Sequence, residues 1–287
     1  MPTVAGLSIG VGSSPVVLLV RYGELALKSA YVRRALEDRL AANVRTMFAV
    51  NGVECVVKVE RGRLFVHAED EAAALRLLGR VFGIVSISPA NEGKSDLEAL
   101  TSHVVDYARG VLATGDSFAI RARRSGQHPY TSQELARVLG RAIQDAILGL
   151  AVDLDAPDLA IHVEVRGPRA YVFHEVVEGP GGLPLGSQGD VSAVAGDEDG
   201  MVAVWLLMRR GCRVRVAGPD TVVAPLQKWD PSLERDTFEA TAGGGVPLPG
   251  PTAAYVNDRG ENSLTLAPLG GLPRARILAL AQRIRNA

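Results

Sequence analysis

Two stretches concentrate side chains able to do chemistry. The first, FAIRARRSGQHPYTSQELARVLGR from Phe118 to Arg141, sets Arg121, Arg123, Arg124, Arg137 and Arg141 against one acid, Glu134. Gln127, His128, Tyr130, Thr131, Ser132 and Gln133 add hydrogen-bonding groups and one phenol ring. Strand alternation puts Arg121 and Arg123 on one face, with Arg124 opening the following loop. Arg137 and Arg141 are spaced to share one helix face. Arginines clustered in this way suit a polyanion, and RNA is the expected ligand. The plain alternative is a solvated, solubilising face. Arg21-Tyr22-Gly23-Glu24 with Lys28 is a weaker candidate. It reads either as a strand-to-helix turn with exposed charges or as a polar rim for phosphate and sugar.

The second stretch, VSAVAGDEDGMVAVWLLMRRGCRVR from Val191 to Arg215, has the order strand, turn, apolar helix, strand. A helix N-terminus in that layout can hold a phosphate. Here, however, the turn reads Ala195, Gly196, Asp197, Glu198, Asp199, Gly200. A carboxylate about 4 Å from a phosphate costs roughly 4 kcal/mol at an effective dielectric near 20. One helix N-terminus returns only about 0.3–2 kcal/mol. Mg²⁺ bridging the acids would be needed to rescue such a site. Acids in a first helical turn are also ordinary capping chemistry, so a structural helix is the expected reading.

Other chemistries find less support. The five histidines form no HxxH or HExxH pair, so no metal site is expected. No GxSxG elbow backs a serine triad. Gly181-Gly182-Leu183-Pro184 and Gly243-Gly244-Gly245 lack the G-x-x-x-x-G-K-[ST] context and read as loops. Cys55 and Cys212 form no CxxC and imply neither a zinc site nor a disulfide scaffold. With a net charge of −1, any affinity for nucleic acid must come from a local basic face. No apolar run reaches membrane-spanning length, and the expected compartment is the cytoplasm.

The elements that must position these groups follow from periodicity. An uncharged leader over 1–15 precedes a strand at Val16–Val20 and a helix from Ser29 whose apolar positions recur at helical spacing. A hairpin, Val53–Glu60 with Arg63–His67, a helix over Asp70–Leu78 and a strand over Val81–Ser88 complete a ferredoxin-like order. A second unit holds a helix at Asp96–Leu112, a strand at Ser117–Arg124 and a helix opened by Ser132. The paired strands Leu159–Arg166 and Ala170–Val177 follow. The expected domains are 16–90, 91–178 and 191–287, joined by a Gly/Pro-rich linker over 179–190.

The segments RYGELALKS, LLGRVFGIVSISPA, SFAIRARRS with TSQE, VEVRGPRAYVF, EGPGGLPLGSQGD, VAVWLLMRRGCRV and APLGGLPRARILALAQRI occur in this order. From about Val16 to Ile284, and most strongly up to Gly189, they resemble the tRNA 4-thiouridine synthetase family of sulfurtransferases. The resemblance implies an α+β half, made of a ferredoxin-like domain and a THUMP domain, followed by an α/β PP-loop pyrophosphatase domain. It implies tRNA as partner, held by acceptor stem and 3′ end, with Arg21, Lys28, Arg121, Arg123, Arg124 and Gln133 as contacts.

The family's PP-loop reads Ser-Gly-Gly-x-Asp-Ser, and at the matching positions 195–200 only Gly196 and Asp199 agree. The stretch from Arg215 to Leu266 is shorter than a full pyrophosphatase domain, NDRGENSLT at 257–265 only echoes a later family motif, and no cysteine follows Cys212. The expectation is therefore a tRNA-binding protein with a reduced, degenerate PP-loop domain and no cofactor. The alternatives are an active tRNA sulfurtransferase using ATP and Mg²⁺ at Asp197 and Asp199, or a subunit presenting tRNA to a catalytic paralogue. A homodimer is a further possibility for the assembly.

Overall fold

The computed structural model describes residues 16–23, 29–60, 62–236, 241–242, 246–247, 253–255, 264–266 and 268–287. The leader, Glu24, Lys28, Gly243–Gly245 and residues 257–263 lie outside the described residues. The elements run β1 (Val16–Tyr22), α1 (Ala30–Val50), β2 (Val56–Glu60), β3 (Arg63–His67), α2 (Glu71–Leu78) and β4 (Ile84–Lys94). Then come α3 (Leu97–Val111), β5 (Ser117–Ser125), α4 (Ser132–Ala146), β6 (Ala151–Val152), β7 (Leu159–Arg166), β8 (Arg169–Phe173) and β9 (Val177–Glu178). The last part holds β10 (Asp190–Val194), α5 (Glu198–Arg209), β11 (Arg213–Ala217), α6 (Asp220–Gln227) and β12 (Glu234–Arg235). Short strands β13 (Thr241–Ala242), β14 (Val246–Pro247), β15 (Ala253–Tyr255) and β16 (Leu264–Leu266) precede α7 (Arg274–Arg285).

The chain divides into two compact units, one of residues up to 18 with 88–176 and the other of 19–87 with 177–287. In the first, the end of β4 pairs antiparallel with β8, β8 with β7, and β7 parallel with β5. Apolar residues one helical turn apart make α3 and α4 amphipathic, and Leu100, Val104, Leu135, Leu139 and Ile143 bury against Phe118, Ile120 and Val163. The last strand of the region, expected over Ala170–Val177, stops at Phe173, and Val177–Glu178 pairs separately with Ile87 and Ser86.

The second unit contains the expected ferredoxin-like order from Leu19 in β1 to the start of β4. That last strand begins at Ile84 rather than Val81. Gly83 has φ 98°, and a Cβ there would meet Leu40 Cδ1 and the Pro184 nitrogen at 3.2 Å, so a left-handed turn occupies the expected strand start. Phe82 in that turn stacks on Trp229 at 5.5 Å between centroids and meets the edge of Trp205 at 5.4 Å. These rings join the core beneath α5, α6 and α7. The C-terminal sheet has the order β12-β11-β10-β15-β16, parallel from β12 to β10 and antiparallel beyond. This is the α/β region expected after the linker.

The run 179–190 is packed, which corrects its reading as a linker. Gly179 and Gly181 donate to Val85 and Ile84 carbonyls, Gly83 donates to Gly181, and Leu183 donates to Arg209, all within 3 Å. The glycines are there because the backbones approach closely. A Cβ at Gly179 would fall 2.2 Å from the Ile84 oxygen.

The Tyr22 hydroxyl donates a short hydrogen bond to the Glu37 carboxylate, which also lies 3.8 Å from Arg33. Burial first, then this bond, pushes the Tyr22 phenol well above its ordinary value of 10.0. A raised folded-state value stabilises fully below pH 10.0, and the contribution drains away as pH rises beyond it. Tyr22→Phe should cost about 1–3 kcal/mol at neutral pH, by leaving the buried Glu37 short of a donor. It should also flatten the alkaline fall in Tm, which thermal melts between neutral and strongly alkaline pH would measure.

Candidate nucleic-acid interface

Of the basic residues singled out in the sequence, Arg121, Arg123 and Arg124 sit in the C-terminal half of β5, and Arg137 and Arg141 on α4. Strand β5 continues through Ser125, which pairs with Arg166. Arg124 is therefore inside the strand, a correction to its placement at the loop start. Phe118, Ile120 and Ala122 face the helices, so alternation carries Arg124 to the helix side, while Arg121 and Arg123 face the other way. The five arginines thus divide between two faces. Beside them lies an open edge: β6 pairs with Ser117 and Phe118, and among the described residues β5 beyond Phe118 is laddered to β7 alone. Charges on an open edge also discourage edge-to-edge pairing, which is the structural reading of the same residues.

Helix α4 begins one residue earlier in its cap than the sequence suggested. Thr131, not Ser132, is the N-cap, and its hydroxyl accepts from the Glu134 N–H at 3.1 Å. The Glu134 carboxylate accepts in return from the Thr131 N–H at 2.7 Å, completing a capping box. That backbone hydrogen bond is the main reason the Glu134 carboxyl is held below its usual range; the Thr131 hydroxyl, Arg137 and Arg124 add to it. The single acid of the stretch is thus committed to the helix end.

The arginines differ in what they already touch. Arg121 Nη2 donates to the Leu154 carbonyl at 2.5 Å, and Arg141 Nε pairs with Asp145 at 3.0 Å. Arg124 Nη1 reaches only the Gly126 carbonyl, at 3.2 Å. Among the described residues, Arg123, Arg124 and Arg137 have no carboxylate within ion-pairing distance, and all three are exposed, as is Gln133. Tyr130 is buried, its hydroxyl donating to the Ser95 carbonyl at 2.7 Å while its ring stacks on His128 at 5.6 Å. It shapes the loop and presents no stacking platform. Arg21 is half-buried on β1, in the other unit.

The acidic turn before α5 has a different character. Asp197 caps the helix, its Oδ1 accepting from the Gly200 N–H at 2.8 Å. Asp199 is gripped by Arg274 Nη1, 2.6 Å from Oδ2, and Glu198 Oε1 lies 3.0 Å from Arg285 Nη1. Hydrogen bonding to Asp199 above all, then its charge, strengthens the hold of Arg274 on its proton. Ala195 and Gly196 complete the turn. Gly200 sits so close to the strand end that a Cβ would fall 2.8 Å from Ala195 Cα. The carboxylates crowd this helix end with negative charge, which opposes a phosphate group there. Of the helix-end N–H groups that of Gly200 is taken by Asp197, and all three carboxylates are engaged. Among the described residues no three His, Cys, Asp or Glu side chains converge for a metal, and no helix is long and apolar enough to cross a membrane. The sequence reading did not single out Arg274 or Arg285, the partners of the acids.

Comparison with known proteins matches the described geometry. The ThiI ferredoxin-like domain family matches residues 17–88 and the THUMP domain family residues 94–175. A Methanothermobacter thermautotrophicus protein named "Probable tRNA sulfurtransferase" is 42% identical over 204 residues, covering 69% of this chain and 51% of the relative. A Methanosarcina acetivorans protein of the same name is 39% identical over 254 residues, 82% of this chain and 61% of the relative. The chain spans about half to three fifths of the length of these curated relatives. A solved Pyrococcus horikoshii protein is 30% identical, with a TM-score of 0.70 over 78% of this chain and 79% of that one. A 4-thiouridine synthetase solved as an RNA complex with bound ATP is 25% identical, with a TM-score of 0.59 over 75% of this chain and 57% of that one. With its ThiI ferredoxin-like domain followed directly by a THUMP domain, the chain belongs to the tRNA 4-thiouridine synthetase family.

Proposed function

We propose that this chain is a tRNA-binding protein that grips the acceptor stem and 3′ end through its THUMP domain and performs no adenylation of its own. The observation that carries the first half is the trio Arg123, Arg124 and Arg137, exposed around the open end of β5 and, among the described residues, with no carboxylate at ion-pairing distance. Double-stranded RNA is read through shape, phosphate and 2′-hydroxyl contacts, which suits arginines without an exposed aromatic. The second half is supported by the turn before α5, whose Gly200 N–H and three carboxylates are engaged within the fold. Two measurements on the same preparation test the reading. Retention of tRNA at low salt, without ATP–pyrophosphate exchange, is expected. No tRNA affinity at low salt would overturn the first half, and exchange abolished by Asp199→Ala would overturn the second.

The turn itself supplies a further check. The family motif carries a hydroxyl at position 200, and restoring it by Gly200→Ser drives a Cβ into Ala195. The expected outcome is a loss of about 1–3 kcal/mol from overpacking and no gain of ATP affinity, read from thermal melts with and without the nucleotide.

A further inference from the structure

Helix α7 carries four arginines, and they divide by what they touch. Arg274 and Arg285 pair with Asp199 and Glu198. Arg276 and Arg283 are exposed and have no carboxylate partner among the described residues. They stand two helical turns apart on one face of α7. On α5, Arg209 completes a cluster with them, half-buried and feeling both charges.

The positions of two of these guanidinium groups are fixed by the packed 179–190 run. Arg209 Nε donates to the Pro180 carbonyl at 2.8 Å, and Arg283 Nη2 donates to the Gly179 carbonyl at 3.1 Å. Both cations are thus anchored on neighbouring residues of one short segment, and Arg209 feels the charge of Arg283. Arg209 also lies 5.9 Å from the Trp205 ring centroid. Each guanidinium offers five N–H donors, and one hydrogen bond apiece among the described residues leaves most of them for a ligand. Burial first, then Arg283 and Arg276, makes the Arg209 proton easier to lose, so the cluster is electrostatically unfavourable when empty. A merely solvated face spreads its charges or mixes them with acids, as α7 itself does at Arg274 and Arg285. Beside the cluster, a cleft of about 800 Å³ is lined by Leu206, Arg209, Arg210 and Leu272. This is the opposite end of α5 from the acidic turn.

We propose that Arg209, Arg276 and Arg283 form a second phosphate-binding site, one that holds a phosphodiester of bound RNA. Bidentate capture of phosphate oxygens by guanidinium is the chemistry that such a cluster performs best. That the occupant is RNA rests on the tRNA-binding reading above. A free phosphate or pyrophosphate shares the same chemistry.

The test uses the full chain, with Arg276→Gln/Arg283→Gln compared with wild type and with the charge-keeping Arg283→Lys. Arg209 stays unchanged because it packs on Trp205. Inorganic pyrophosphate at constant ionic strength should raise the wild-type Tm, and the double variant should lose that response. Its tRNA affinity should fall about tenfold, with a salt slope shallower by about 0.7–0.9, the contribution of one phosphate contact. Arg283→Lys should retain most of both. Unchanged pyrophosphate response and tRNA affinity in the double variant would overturn the site. A lost pyrophosphate response with unaltered tRNA binding would overturn RNA as occupant. If wild-type protein answers to pyrophosphate but binds no tRNA at all, the tRNA reading fails while the anion site stands.

Discussion

Replacing Arg123, Arg124 and Arg137 together with alanine should weaken tRNA binding by about a hundredfold or more. A charge-assisted hydrogen bond contributes roughly 1.5–3 kcal/mol where it is well formed. Even about 1 kcal/mol from each of the three residues multiplies to a factor above 100 at room temperature. The variant should also show a salt slope reduced by about 2–3, because three fewer phosphates are neutralised. Arg141→Ala is the internal control. Its guanidinium is already paired with Asp145, so its removal should move affinity much less. Arg121→Ala should likewise have a small effect, since that side chain is bound to the Leu154 carbonyl. Equal losses at Arg141 and Arg123 would show that diffuse charge governs binding, rather than the open end of β5.

The second large effect is on folding. Gly182→Ala should destabilise the unit containing 177–287 by about 3–5 kcal/mol. Gly182 has φ +79°, a conformation costing an L-residue roughly 1–2 kcal/mol. Its added Cβ would fall 2.0 Å from the Arg209 carbonyl oxygen, the acceptor of the Leu183 N–H. Relieving that overlap breaks the hydrogen bond and shifts the end of α5, for another 1–3 kcal/mol or more, about what overpacking costs elsewhere. Gly52→Ala separates the two contributions. Its φ is +67°, but a Cβ there meets nothing within 4 Å, so only the conformational part should appear. A Tm fall of roughly 6–20 °C for Gly182→Ala, against a few degrees for Gly52→Ala, is the expected result in thermal melts.

What the sequence displays and what it hides divide along the range of the interactions. The ferredoxin-like order and the two THUMP helices are legible because their burial follows local periods, as Leu135, Leu139 and Ile143 do on α4. The capping box was legible too, once counted from Thr131 to Glu134 instead of from Ser132. The start of β4 is hidden because Gly83 turns where Leu40 and Pro184 crowd it, and both come from distant segments. The two-residue strands β6 and β9 are shorter than any periodic signal. Arg124 reads as a loop residue until Arg166 pairs with Ser125 and extends the strand. The fate of the acidic turn is a long-range matter, since Arg274 lies 75 residues beyond Asp199. Tyr130 looks available in sequence, yet its hydroxyl closes on Ser95 and its ring is buried.

The most direct measurement is equilibrium binding of the full chain to tRNA, followed by fluorescence anisotropy between about 50 and 200 mM salt. Three phosphate contacts at about 0.9 each give a log–log slope near −2.7, so a fourfold rise in salt should weaken binding at least about fortyfold. The slope should steepen toward about −3.6 if the site of Arg209, Arg276 and Arg283 holds a phosphodiester as well, at about 0.9 for the added contact. Binding that is absent at the lowest salt, or that barely responds to salt, would contradict the claim that this chain grips tRNA through its unpaired arginines.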